Sequence, residues 1–314
     1  MLAGILYLGA GVGLALVHAG RALIGLERTE APLRRPDLPW LAAIVVCGGI
    51  LGPVLLMFGL SQSSASSGSL LLNLEGMATM GIAWIVFRES VDRRLLMGAL
   101  AIVAGAVLLT WEGEGVSLDA GALLIAGACL AWGIDNNLTR KLSSADPVQI
   151  AMIKGLVAGA VNLALALATG AVLPPPLLAM AGAVVGLFGI GISLVMFMLA
   201  LRHLGTARTG AYYSLAPFIG ALLALVLLQE PVTSTLLAAA GLMGFGLWMH
   251  LTERHEHVHV HESLEHEHTH FHDEHHRHVH DGPVNEPHTH WHRHEPMRHS
   301  HAHYPDLHHR HRHS

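Results

Sequence analysis

Three ionisable side chains stand inside long apolar runs of this chain: Glu75, Asp135 and Lys154. A charged group in hydrocarbon costs about 2.5–3.5 kcal/mol on insertion scales and normally faces a cavity or a partner. Glu75 lies about 10 Å into its run at a helical rise of ~1.5 Å per residue, too deep for its short side chain to reach water. Such a carboxyl can exchange a proton for a substrate, or it can make a structural hydrogen bond to a neighbouring helix. Lys154 lies at a similar depth from the other side, where a long stem can either snorkel to the interface or face a cavity. Asp135, Asn136 and Asn137 close their run beside Arg140, as an interfacial cap or as ligand groups. Trp132, one turn before Asp135, and Tyr212 and Trp84 offer rings to a planar or cationic substrate, or else belong to the aromatic belt of the interface. Pro217, after Ala216, breaks an intrahelical hydrogen bond, which makes a hinge or frees a carbonyl toward a cavity.

A second chemistry lies at the C-terminus. Of the 26 His, all but His18, His203 and His250 fall between residues 255 and 314, many in His-x-His alternation. Imidazole binds zinc, nickel and copper, and the densest candidates are His255, His257, His259, His261, His266, His268 and His270. With few aliphatic residues the tail cannot build a core, so composition predicts disorder over 252–314. Metal buffering or sensing, a response to mild acid and a neutral extension are all consistent with it. No cofactor is required by the rest of the chain.

The polar groups need elements to hold them. Half of the residues are apolar and 13% are charged, and runs of roughly 17–25 apolar residues each cross ~30 Å of hydrocarbon as a helix. Nine such spans lie near 2–19, 40–60, 68–87, 95–111, 120–138, 148–169, 177–201, 210–228 and 233–251. A soluble helical protein would carry charged faces on most helices, and these runs are apolar all round. Cys47 and Cys129 fall mid-span, as small packing residues rather than a disulfide framework. Residues 2–19 resemble a secretory signal only loosely, since no positive charge precedes them. The lipid bilayer is therefore the first partner, and no nucleic-acid partner is expected.

Charge in the loops orients the spans. Arg21, Arg28, Arg34, Arg35, Arg88, Arg93, Arg94, Arg140, Lys141, Arg202 and Arg208 all fall in alternate loops, and the others hold none. Positively charged loops stay in the cytoplasm, so the first set is cytoplasmic, the acidic 112–119 turn faces out, and the tail ends in the cytoplasm. A shift of 141 residues lays Leu60–Ala99 on Leu201–Ala240 without a gap, pairing Leu74 with Leu215 and Glu89 with Glu230. Because 61–67 faces out and 202–208 faces in, the two units are inverted repeats, a recurring architecture of secondary transporters. The second unit has five helices and the first only four. The partner of span 120–138 would precede Met1, so the start is expected to be truncated or placed too late.

These features resemble the EamA family of the drug/metabolite transporter superfamily. The resemblance is carried by Leu72-Asn73-Leu74-Glu75-Gly76, Tyr212-Tyr213-Ser214-Leu215-Ala216-Pro217, Phe87-Arg88-Glu89, Gln229-Glu230-Pro231 and the stretch from Trp132 to Lys141. It covers residues 1 to about 251 and implies an all-α integral membrane fold of two five-helix inverted repeats. Nine spans are seen where ten are expected: 1–111 as the first repeat without its first helix, 120–251 as the second, then the His-rich tail. It departs from the family where Gly76 stands for the proline expected after Glu75, and where Ala216 stands for the acid expected before Pro217. The second departure leaves Glu75 as the single acid of that pair.

Together these readings point to a multi-pass secondary transporter of the plasma membrane, the inner membrane in a bacterium. It would export small metabolites or drug-like compounds by alternating access, with protons as a candidate coupling ion. Asn73, Glu75, Trp132, Asp135, Lys154, Tyr212 and Pro217 are its pathway candidates. A divalent-metal transporter or metal-sensing membrane protein using the tail is the alternative. No Gly-rich, Lys-containing nucleotide loop and no catalytic constellation occurs, so neither ATP-driven pumping nor enzymatic activity is expected. Substrate identity and oligomeric state are not legible in the sequence.

Overall fold

The computed structural model describes residues 1–23, 32–87, 93–110, 120–142, 145–203, 209 and 212–252, and the backbone of 256–260, 264–270, 288–294 and 298–302. Helix α1 (Leu2–Leu23) is followed by a long helix in three parts: α2 (Leu38–Ile44), a π-helical segment (Val45–Leu51) and α3 (Gly52–Leu60). Then come α4 (Ala65–Leu71), α5 (Leu74–Phe87), α6 (Arg93–Leu109), α7 (Ala120–Leu142) and α8 (Pro147–Ala168). A second three-part helix consists of α9 (Pro176–Gly186), a π-helical segment (Leu187–Ile192) and α10 (Ser193–His203), and α11 (Ala216–Leu227) and α12 (Ser234–Leu251) complete the bundle. Among the described residues six helices are long and apolar enough to span a bilayer on their own. Of the expected spans, α6 and α11 are shorter, and α7 is made more polar by Asp135, Asn136, Asn137, Arg140 and Lys141. The fold is that of an all-α integral membrane protein.

Local chemistry sets the boundaries. Asp146 caps α8, its carboxylate accepting from the amides of Val148 (2.8 Å) and Gln149 (3.3 Å), with Pro147 in the first turn. Thr233 caps α12 through the Leu236 amide at 3.1 Å. Gly170 ends α8 at φ +83°, in the left-handed region that suits glycine. At the arginine-rich end Lys141 lies 3.8 Å from the centre of the Trp40 ring, Arg94 lies 5.5 Å from that of Trp248, and Arg94 also donates to the Thr252 hydroxyl. These pairs form the interfacial layer at that end.

Small residues let the helices touch. Helix α1 lies along α8, where a Cβ on Gly155 would come within 2.6 Å of the Gly11 amide nitrogen. Helix α6 meets α12 in the same way, a Cβ on Gly98 falling 2.8 Å from the Gly246 carbonyl. Without a hydrophobic force between helices in lipid, this close approach is what holds them. Helix α7 packs against both α3 and α5, with Gly133 against Ala78.

Two departures from regular helix recur at the repeat spacing. Residues 46–51 and 187–192, which correspond under the 141-residue shift, are both π-helical. The expected span 68–87 carries a two-residue turn at 72–73, where α4 stops at Leu71 and α5 starts at Leu74, within a segment 65–86 that is long and apolar enough to cross a bilayer. In the second repeat a turn at 214–215, one residue beyond the positions matching 72–73, precedes α11. The repeats differ in what covers them. Gly48 and Ala78 lie under α7, whereas their counterparts Gly189 and Ile219 are exposed, and a Cβ on Gly189 would meet nothing within 4 Å.

At the opposite end from the arginines, the Glu230 carboxylate accepts from the amides of Ala65 (2.8 Å) and Ser66 (3.0 Å), tying the second repeat to the start of α4. Beyond Thr252 the described backbone pairs 256–260 with 298–302 and 264–270 with 288–294, both antiparallel. Disorder was expected there from composition. Isolated two-stranded ribbons are marginal in water, and alternating His and charged residues supply no apolar layer to hold them to a core.

Two outcomes follow. Gly155→Val, which drives a side chain into the backbone of α1, should lower the melting temperature in detergent by the equivalent of about 1–3 kcal/mol. Gly241→Ala, at a helical position open for 4 Å, should not lower it and should raise it by the equivalent of at most about 1 kcal/mol. Hydrogen bonds from Ser66 and the two amides hold the Glu230 carboxyl below the usual carboxylate range. Its stabilising contribution is therefore complete above that range and disappears as pH falls through the lowered value. Melting curves of Glu230→Gln against the parent should differ at neutral pH and converge in acid.

Candidate functional site

On α7, residues 132, 135 and 139 share one face by helical spacing. Asp135 is 4% exposed, and its Oδ2 receives a hydrogen bond from Lys154 Nζ of α8 at 2.5 Å. Thr139 Oγ1 donates to Oδ1 at 3.4 Å. Asp135 is thus not an interfacial cap, and Lys154, itself 4% exposed, does not snorkel. Each removes the other's charge from hydrocarbon. The reason is length: α7 continues to Leu142, so Asp135 stands nearly two turns inside the helix rather than at its end.

The π-helical segment of the first repeat is built into this cluster. A Cβ at Gly48 would overlap the Asp135 carboxylate. The Gly48 carbonyl accepts from Tyr7 Oη at 2.9 Å and from Trp132 Nε1 at 3.0 Å, and the Gly49 carbonyl from Asn162 Nδ2 at 2.8 Å. Carbonyls taken out of regular helical pairing must be satisfied within the protein, and three side chains from α1, α7 and α8 do so here. Trp132 is therefore an interior hydrogen-bond donor and not part of the aromatic belt. Tyr7 and Asn162 carried no signal beyond being polar in an apolar run.

Asn136 turns the other way from Asp135. Its Nδ2 donates to Glu75 Oε1 at 2.9 Å and to Thr79 Oγ1 at 3.2 Å, and Asn137 Nδ2 donates to the carbonyls of Thr79 (3.0 Å) and Gly133 (2.8 Å). Glu75 occupies the first turn of α5, beside the break, and is more accessible than the sealed Asp135 and Lys154. Among the described residues no cation pairs with it.

The break itself is held by polar contacts. Asn73 Nδ2 donates to the Leu70 carbonyl at 2.9 Å, and the Cys129 thiol approaches the Leu71 carbonyl at 3.7 Å. Asn73 Oδ1 is buried and has no partner, which costs about 1–3 kcal/mol. The two broken helices meet: Ser69 Oγ donates to the Pro217 carbonyl at 2.8 Å, and a Cβ on Gly76 would lie 3.6 Å from Ser214 Oγ. Pro217 stands in the first turn of α11, so it starts a helix instead of kinking one.

With this geometry the comparisons with known proteins agree. The model of the EamA-like transporter family matches residues 1–111 and 119–252. The chain belongs to the EamA-like transporter family. A protein of Methanothermobacter thermautotrophicus described as an uncharacterized transporter is 29% identical over 221 residues, spanning 68% of this chain and 64% of that relative's length. A solved crystal structure of another protein superposes with a TM-score of 0.58 at 18% identity, covering 79% of this chain and 85% of the other. In this EamA-like chain the two family-like motifs, 72–76 and 212–217, are the segments that break and face each other.

The remaining candidates lie elsewhere. Tyr212 is 62% exposed and Trp84 50% exposed, whereas Tyr213 meets Phe197 in a tilted pair with ring centroids 4.9 Å apart. His255 and His261 fall outside the described residues, and His257, His259, His266, His268 and His270 are described by backbone alone. Among the described residues no group of three metal-ligating side chains is arranged around a common point.

Lys154→Met should leave Asp135 as an uncompensated buried charge, a loss of about 3–5 kcal/mol, whereas Lys154→Met combined with Asp135→Leu should recover most of it. A double-mutant cycle on melting temperature reads the difference.

Proposed function

We propose that this chain is a secondary transporter of the plasma membrane that exports small metabolites or drug-like compounds by alternating access, with Glu75 exchanging a proton for the substrate. The observation that carries this reading is the meeting of two matched helix breaks between the repeats, with Glu75 beside them. Discontinuous helices near the midplane are where transporters of inverted-repeat architecture bind their cargo. The sealed Asp135–Lys154 pair holds α7 to α8, and Asn136 links α7 to the carboxyl on α5. Protonation of Glu75 would alter that link, which gives the proton a route to helix position. On this reading the repeats are 1–111 and 120–251, and the positively charged loops support a cytoplasmic tail of 252–314.

The test is uptake into inverted vesicles under an imposed proton gradient, screened over amino acids, nucleosides and divalent metals. Gradient-driven flux of an organic solute is expected, and Glu75→Gln should lower it at least tenfold. Full flux in Glu75→Gln with unchanged pH dependence would remove the proton role. Deleting residues 255–314 should leave this flux intact. Metal-dependent flux surviving that deletion would favour divalent-metal transport instead.

A further inference from the structure

We propose that the crossing of the two broken helices recognises an organic ammonium group, with Glu75 as its counter-charge and Asn73 Oδ1 as a second acceptor. The inference rests on the crossing being the transport site. It adds the charge class of the ligand. Charge accounting comes first. Asp135 and Lys154 cancel each other and are closed to solvent, and among the described residues no cation pairs with Glu75. Among the described residues the accessible part of the cluster therefore carries at most one negative charge and no positive one. Hydrogen-bonding capacity points the same way. Asn73, 4% exposed and placed in the break between α4 and α5, donates to the Leu70 carbonyl and keeps an acceptor without a partner. Asn136 spends its donor on Glu75 and Thr79. The buried atom left without a partner at this break is an acceptor, and with the Glu75 carboxyl beside it a donor that also carries positive charge answers both.

The sequence supports one site of this kind and not two. In the second repeat the position matching Glu75 is Ala216, so the matching break has no acid in its first turn. An ammonium would therefore be drawn to the side of the crossing formed by α5. A carboxylate would meet Glu75 without a cation to offset it.

Three ligands with one ring and three charges separate the possibilities: benzylammonium, benzyl alcohol and benzoate, titrated calorimetrically at pH 7.5 into the detergent-solubilised full chain. Benzylammonium should bind at least tenfold more tightly than the other two. Glu75→Gln should remove that preference, Glu75→Asp should retain part of it, and Asn73→Leu should weaken benzylammonium alone. Melting temperatures of the variants show whether each is folded, and the Asp variant keeps the test valid if Gln is not. Equal binding of all three, preference for benzoate, no binding, or an ammonium preference that survives Glu75→Gln each overturns the proposal. The reading as a transporter stands or falls separately, on flux in vesicles: ammonium binding without flux of any solute would sink that reading and leave the site.

Discussion

Inside hydrocarbon no water is available to satisfy a polar group, so every donor and acceptor must be matched by the protein itself. The Asp135–Lys154 pair is the strongest expression of this constraint in the chain. Its cost is offset only because Gly48 gives the carboxylate room and Thr139 supplies a further donor. Around it the same requirement recruits Tyr7, Trp132 and Asn162 to the carbonyls of the π-helical turn. Four segments of chain are thereby fixed by one polar cluster, and their apolar faces are left to lipid and to glycine-mediated contacts.

Against that rigid cluster the two breaks are different in kind. The first leaves the Asn73 oxygen without a partner, and the two meet across the repeat boundary through Ser69, Pro217, Gly76 and Ser214. Rigid polar bonding on one side and incomplete bonding on the other is a division that permits one part of a bundle to move while the rest keeps its register. Glu75 lies where the two meet, since Asn136 of the fixed helix reaches it.

Much of this was legible in the sequence. Apolar run length placed the helices, and the isolated Glu75, Asp135 and Lys154 named most of the cluster. What could not be read was partnership. Asp135 and Lys154 are nineteen positions apart, and only the extension of α7 to Leu142 brings them to the same depth. The interval 68–87 reads as one continuous apolar run because the break depends on Asn73 turning back to Leu70, a local competition that hydropathy does not record. Trp132 looked like a belt residue because aromatic rings near helix ends usually are; the acceptor that draws it inward is a backbone carbonyl, invisible in the side-chain pattern. The tail showed its chemistry in composition alone.

The paired π-helical turns show how far the two halves share a backbone and how far they do not. Each widens a long helix at the corresponding place in its half. In the first half the widened turn is filled, Tyr7 and Trp132 both donating to the Gly48 carbonyl. In the second the matching Gly189 is exposed, with nothing within 4 Å of where a Cβ would stand. The same irregularity is thus locked by side chains in one half and left open in the other, so only the second has room to change its helical pitch without first breaking a bond to a neighbouring helix.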